Sequence, residues 1–138
     1  MKRDSDTRTM LQASPKRVPL DVDQVAAAID ACLNCVQSCT TCADSDLIEE
    51  DVRAMAACIA LCHTCADICD TTARVLSRPG QWDDMVVRPL LEACVRACTT
   101  CAEECDRHAQ HHRHCAICAG ACRTCIQTCE ALLDAERG

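Results

Sequence analysis

The sequence predicts an all-α protein, an up-down-up-down antiparallel four-helix bundle with a cysteine-lined core. Two observations carry that prediction. Seventeen cysteines recur in four separate segments at alternating gaps of three and four, and the chain has no Phe, no Tyr and a single Trp from which to build any other core. Gaps of three and four place all the cysteines of a segment on one stripe of an α-helix, whereas a strand needs even spacing. The intervening Ala, Thr, Glu, Asp, Arg and Gln suit outward helix faces. With 138 residues the chain is one domain's worth.

Residues 1–20 read as a mobile lead-in, because Pro15, Pro19 and mixed charges leave no helical stripe. Residues 21–138 read as the bundle. Its first segment holds Cys32, Cys35, Cys39 and Cys42, and its second Cys58, Cys62, Cys65 and Cys69. The third holds Cys94, Cys98, Cys101 and Cys105, and the fourth Cys115, Cys118, Cys122, Cys125 and Cys129. Asp21 or Asp23 can cap the first helix and Asp46 the second. Arg78-Pro79-Gly80 breaks the chain before the third. Asp83 or Asp84 can cap that helix, and a start near Arg88 would place Pro89 in its first turn. The first–second and third–fourth links are short, which makes sequential helices antiparallel neighbours.

The formal charge is −7, from 14 basic and 21 acidic residues. Nucleic-acid binding usually demands a basic face, so that partner is not expected. Met1–Leu20 is charged throughout and lacks the apolar run of an export leader. No stretch approaches the roughly 18 apolar residues of a membrane span, so no membrane partner is expected. A disulfide scaffold needs an oxidising compartment; without export the chain is expected in the reducing cytoplasm, where such cysteine density points to metal.

Six Cys-x-x-Cys pairs are present: Cys32/Cys35, Cys39/Cys42, Cys62/Cys65, Cys98/Cys101, Cys115/Cys118 and Cys122/Cys125. One such pair is weak evidence, since it fits a redox couple, half a zinc site or chance. Six, in register on four matched stripes, are not space-filling, because packing alone favours residues that do not oxidise. Thiolates are soft ligands that select Cu(I), zinc or iron–sulfur clusters. Zinc sites usually join two pairs through a loop, and bacterial cluster motifs carry a proline after the last cysteine. Neither pattern occurs within a segment. Copper(I) accepts few thiolates, which suits consecutive pairs on one face. Charge points the same way. The stripes carry no Lys or Arg, and buried thiolates without counter-ions are costly. About one Cu(I) per thiolate neutralises them, so multiple copper ions, roughly one and a half to two dozen, are expected.

Extending each stripe to the end that holds the first–second and third–fourth links brings Met55, His108, His111, His112 and His114 to one mouth. His108 and His112 continue their stripe most directly, and His114 follows. Imidazole and thioether both suit copper, so the ions are expected to pass here. The same registers at the other end reach Val25, Ala28, Thr72, Leu76, Val87, Leu91 and Leu132, an apolar plug. His63 and Trp82 lie off the stripes. No Ser-His-Asp set, phosphate loop or registered carboxylate pair points to an enzyme.

Four Cys-x-x-Cys-x-x-x-Cys stripes and a His-rich link before the last helix resemble the bacterial copper storage proteins, in particular their cytosolic branch. The resemblance covers about Asp21 to Glu136. It implies a four-helix bundle holding many Cu(I) ions, a histidine-bearing open end and a homotetramer. Exported members carry a leader and a Met-rich mouth, which fit this chain less well. A copper chaperone is an expected partner. The expected function is copper(I) storage and detoxification; the alternatives are an iron–sulfur electron carrier and a zinc or thiol buffer.

Overall fold

The computed structural model describes residues 5–137, with side chains through Ala135. Residues 1–4 and Gly138, the outermost parts of the expected lead-in and bundle, lie outside the described residues. Five helices and no strands occur among the described residues. They are α1 (Thr7–Ala13), α2 (Val22–Leu47), α3 (Ala56–Leu76), α4 (Asp84–His108) and α5 (Arg113–Arg137). Two 3₁₀ turns, Val52–Met55 and Pro79–Gln81, precede α3 and α4. The four long helices pack in a closed ring in chain order, with α5 returning against α2.

The helix starts follow local chemistry. The Asp21 carboxylate accepts from the backbone N–H groups of Asp23 (2.9 Å) and Gln24 (3.1 Å), which have no partner within the first turn. Asp83 does the same for Met85 N–H at 2.9 Å. Two expectations are corrected here. Asp46 does not cap the second bundle helix; it lies inside α2 and is fully buried. α4 begins at Asp84 rather than near Arg88, so Pro89 sits beyond the first turn. The proline removes the N–H that would bond the Met85 carbonyl. Pro89 and Met85 are both exposed, so the freed carbonyl lies on a solvent-facing side of the helix, which continues.

The lead-in also differs from expectation, because it carries α1 where no helical stripe is legible. Leu11 and Val18 are buried in the core, and the Ser5 and Thr7 hydroxyls donate to the Asp30 carboxylate on α2. Lys16 Nζ donates to the Gly80 carbonyl at 3.0 Å. One buried leucine is enough to dock a two-turn helix, and one apolar residue makes no periodicity.

The expected plug is in place. Val25, Ala28, Thr72, Leu76, Val87, Leu91 and Leu132 are each at most 1% exposed. The Thr72 hydroxyl donates to the Ile68 carbonyl at 2.8 Å, so its burial leaves no open donor. Trp82 is partly buried and packs against the core from the α3–α4 link. Val52–Leu76 is, against expectation, long and apolar enough by composition to cross a membrane. Its apolar character comes largely from alanines and from four cysteines that are all buried inside the bundle.

With thiols filling the middle of the core, Leu76, Leu91 and Leu132 are among the few large apolar side chains that are fully buried. Leu76→Ala or Leu91→Ala is expected to destabilise the metal-free protein by about 2–5 kcal/mol. Guanidinium unfolding followed by circular dichroism measures it; a loss below ~1 kcal/mol would mean that this end does not hold the bundle together.

Candidate metal centre

Each long helix turns its cysteine stripe inward, and all seventeen cysteines are buried free thiols. The sulfurs form four levels along the bundle. Nearest the α2–α3 link, Cys42 lies 3.9 Å from Cys115, and Cys58 3.8 Å from Cys105. In the next level Cys39 lies 3.6 Å from Cys118, and Cys62 3.7 Å from Cys101. In the third, Cys35 is 3.7 Å from both Cys65 and Cys122, and Cys65 is 3.6 Å from Cys98. In the fourth, Cys32 is 3.5 Å from Cys125, and Cys69 is 3.8 Å from Cys94. Cys129 stands beyond it, 4.0 Å from Cys94.

Levels are joined along the helices by Cys35–Cys39 (3.8 Å), Cys58–Cys62 (4.0 Å) and Cys65–Cys69 (3.9 Å). The sulfur set is therefore continuous. Quartets such as Cys32, Cys69, Cys94 and Cys125, or Cys39, Cys101, Cys118 and Cys122, have all their sulfurs within 4.8 Å of one another. Quartets overlap, since Cys35, Cys39, Cys69, Cys122 and Cys125 each belong to two. Four-thiol groups thus arise between helices even though no single segment contains one.

Among the described residues the buried polar or charged side chains are Asp46 and Thr72. No Lys or Arg is buried among the described residues. Burial pushes the Cys115 thiol up, and neighbouring Cys42 and Cys58 add to the effect. Hydrogen bonding with Cys105 pulls the Cys42 thiol down.

The mouth residues separate into distinct positions. His114 Nδ1 lies 3.3 Å from Cys42 Sγ, 3.6 Å from Cys115 Sγ and 3.8 Å from an Asp46 oxygen. Its Nε2 is 2.9 Å from Glu49. His112 holds Glu49 through Nδ1 at 2.6 Å and Asp51 through Nε2 at 3.2 Å. The His112 and His114 ring centroids are 5.6 Å apart. His108 Nε2 is 2.9 Å from Glu104. Met55 is fully buried, and His111 is exposed in the link. His63 is exposed on α3.

His114, rather than His108 or His112, is thus the imidazole against the thiols. The reason is local. α4 ends at His108, so the helical register that would carry the stripe on to His112 stops there. His114 belongs to the first turn of α5, next to Cys115.

Asp46 is the functional candidate that the sequence reading passed over as a cap. The signal was available, because Asp46 follows Cys42 by four and so extends the stripe Cys32, Cys35, Cys39, Cys42. The Cys115 thiol lies 3.8 Å from Asp46 Oδ1, while buried Oδ2 has no hydrogen-bond partner. A buried carboxylate oxygen with an open lone pair, beside thiols and an imidazole, fits a cation.

Burial pushes the Asp46 carboxyl up to about 7, with the Cys58 thiol adding to the shift. A raised carboxyl binds more protons folded than unfolded between the ordinary Asp range and neutrality. Its contribution to apo-protein stability therefore falls as pH rises from about 4 to about 7. Asp46→Asn is expected to remove that part of the slope, on the order of 2–4 kcal/mol across the window. Chemical denaturation of metal-free native and variant protein at several pH values measures it; parallel curves would mean that Asp46 is ionised in the fold.

Residues 21–134 match the sequence profile of the copper storage protein family. No curated protein matches the chain. Among solved structures, the chain is similar to the copper storage protein Ccsp from Streptomyces lividans loaded with 10 copper equivalents. The two share 42% identity at a TM-score of 0.91, over 94% of this chain and 98% of that one. It is similar to the cytosolic copper storage protein of the same organism with five coppers, at 46% identity and a TM-score of 0.80, over 81% of this chain and 93% of that one. A histidine-to-alanine mutant of Ccsp matches at 45% identity and a TM-score of 0.83, over 84% of this chain and 97% of that one. Four matched cysteine stripes, their convergence on one buried sulfur column and the profile match over nearly the whole bundle lead to one conclusion: the chain belongs to the copper storage protein family.

Proposed function

We propose that this protein stores copper in the cytoplasm as Cu(I), in a sulfur column that takes up many ions through one end. The observation that carries the reading is seventeen buried thiols converging with no buried cation among the described residues. Each Cu(I) that displaces a thiol proton leaves the core neutral, so loading releases protons and needs no basic side chain. Zinc in a quartet would instead leave two negative charges per site in a dry core. Overlapping quartets also favour ions that share sulfurs over isolated four-coordinate zinc or iron–sulfur sites.

We read the ring of helices as an up-down-up-down antiparallel bundle. The order of the sulfur pairs supports this: along α2, Cys32, Cys39 and Cys42 meet Cys125, Cys118 and Cys115 in reverse order on α5. The mouth then comprises His108, His111, His112, His114 and Met55, with Asp46 behind them. His114 is the receiving ligand, and Met55 closes the column below the surface. The plug at the other end is apolar apart from Thr72, whose hydroxyl is held by the Ile68 carbonyl. The role has no turnover, so the protein is not an enzyme. A homotetramer and a delivering copper chaperone complete the reading, and both rest on family resemblance. The cytoplasmic location rests on the Streptomyces lividans relative, which is described as cytosolic.

Anaerobic titration of the reduced protein with Cu(I), followed by metal analysis, tests the reading. Uptake is expected on the order of the cysteine count, roughly one and a half to two dozen ions. Saturation at one or two ions would remove storage as the function. His114→Ala is expected to slow uptake of the first ions about tenfold, read by stopped-flow absorbance of the thiolate–copper bands. Unchanged early kinetics would move the receiving site elsewhere.

A further inference from the structure

We infer that Glu49 is a positioning residue for the mouth: its carboxylate, anchored by His112, fixes the His114 ring with Nδ1 turned onto the Cys42 and Cys115 sulfurs. The inference deepens the storage reading and rests on it.

Glu49 lies in the turn after α2, where its own N–H bonds the Asp46 carbonyl at 3.3 Å. One of its oxygens, Oε2, meets two imidazoles, His112 Nδ1 at 2.6 Å and His114 Nε2 at 2.9 Å. An ionised carboxylate only accepts hydrogen bonds, so each nitrogen facing it must carry the proton. In a neutral His114 ring that assignment leaves Nδ1 as the bare lone pair. Nδ1 is the nitrogen at 3.3 and 3.6 Å from the two sulfurs. It can therefore accept from a thiol in the metal-free protein and bind a soft cation once the proton leaves. A metal-bound imidazole commonly has its second nitrogen held by a carboxylate in this manner, which fixes both the tautomer and the ring orientation.

His112 supplies the other half of the arrangement. Both of its nitrogens face carboxylates, Glu49 on one side and Asp51 on the other. In that position it is a doubly donating ring that ties Glu49 to the α2–α3 link rather than a ligand with a free lone pair. The chain Asp51–His112–Glu49–His114 thus runs from the surface to the first sulfurs, and each hydrogen bond in it aligns the next. Without Glu49 the His114 ring can rotate, or take its proton on Nδ1, and either change removes the lone pair from the thiols.

The test compares native protein with Glu49→Gln. Nitrogen-15 shifts of the histidine rings in metal-free protein, followed over a pH series up to the neutral-ring plateau, report the tautomer. Native His114 is expected as the Nε2–H form, and Glu49→Gln as a mixture. A native Nδ1–H ring, or an Nε2–H ring unmoved by Glu49→Gln, would overturn the inference. Chelator competition should also show the first Cu(I) bound about 10–100-fold more weakly by Glu49→Gln than by native protein. That loss should vanish when the comparison is made in a His114→Ala background; an equal loss there would mean that Glu49 acts by some route other than His114. The ring tautomer is read without metal, so low total copper uptake by native protein would count against storage alone and leave the Glu49 result to stand by itself.

Discussion

Sulfur without counter-ions is the constraint on which the rest of this structure depends. Seventeen thiols share one column, and the buried polar or charged side chains described beside them are one aspartate and one threonine. Protonated, such a core is neutral and soft. Ionised without metal, it would set thiolates against one another in a medium too dry to screen them. Monovalent cations in near-equal number to the thiolates would satisfy that core and leave no net charge. The absence of Lys and Arg from the helix stripes is therefore part of the site's chemistry.

The same constraint divides the bundle along its length. Thiol side chains are small, so the sulfur levels allow the helices to approach closely but bury little apolar surface per residue. Cohesion in the metal-free state is concentrated at the plug, where Leu76, Leu91 and Leu132 close the end opposite the mouth. α1 and Trp82 pack onto the bundle outside the column. Metal that binds the folded thiols and not the unfolded chain adds stability by mass action. The storage region thus depends on its cargo for part of its rigidity, while the plug holds the helices in place before cargo arrives.

Electrostatics change character at the mouth. The column has one carboxylate, Asp46, at its edge, and just outside it Glu49, Asp51 and Glu104 each meet a histidine nitrogen. The net charge of −7 is consistent with a surface that draws cations inward. Under the proposed entry at this end, a cation arriving from water would meet carboxylates first, then imidazole, then thiol. That sequence runs from hard to soft ligands and matches the softness of Cu(I) increasingly well with depth.

The helical class, the inward stripes, the plug and the grouping of thiols were legible in the amino-acid order. Each depends on the fixed pitch of the α-helix, which turns a sequence gap into a direction in space. The same rule identifies Asp46, four residues past Cys42, once the helix is known to run that far. Other features had no such ruler. α1 rests on a single buried leucine. His112 falls where α4 has already ended, so the register that points it at the sulfurs no longer applies. Glu49 acquires its position only because the α2–α3 and α4–α5 links fold against each other, bringing together residues 65 positions apart. Periodicity decides what a helix faces, because its backbone hydrogen bonds repeat. The meeting of two links has no repeat, and only the packed tertiary structure could decide which imidazole lies against the thiols.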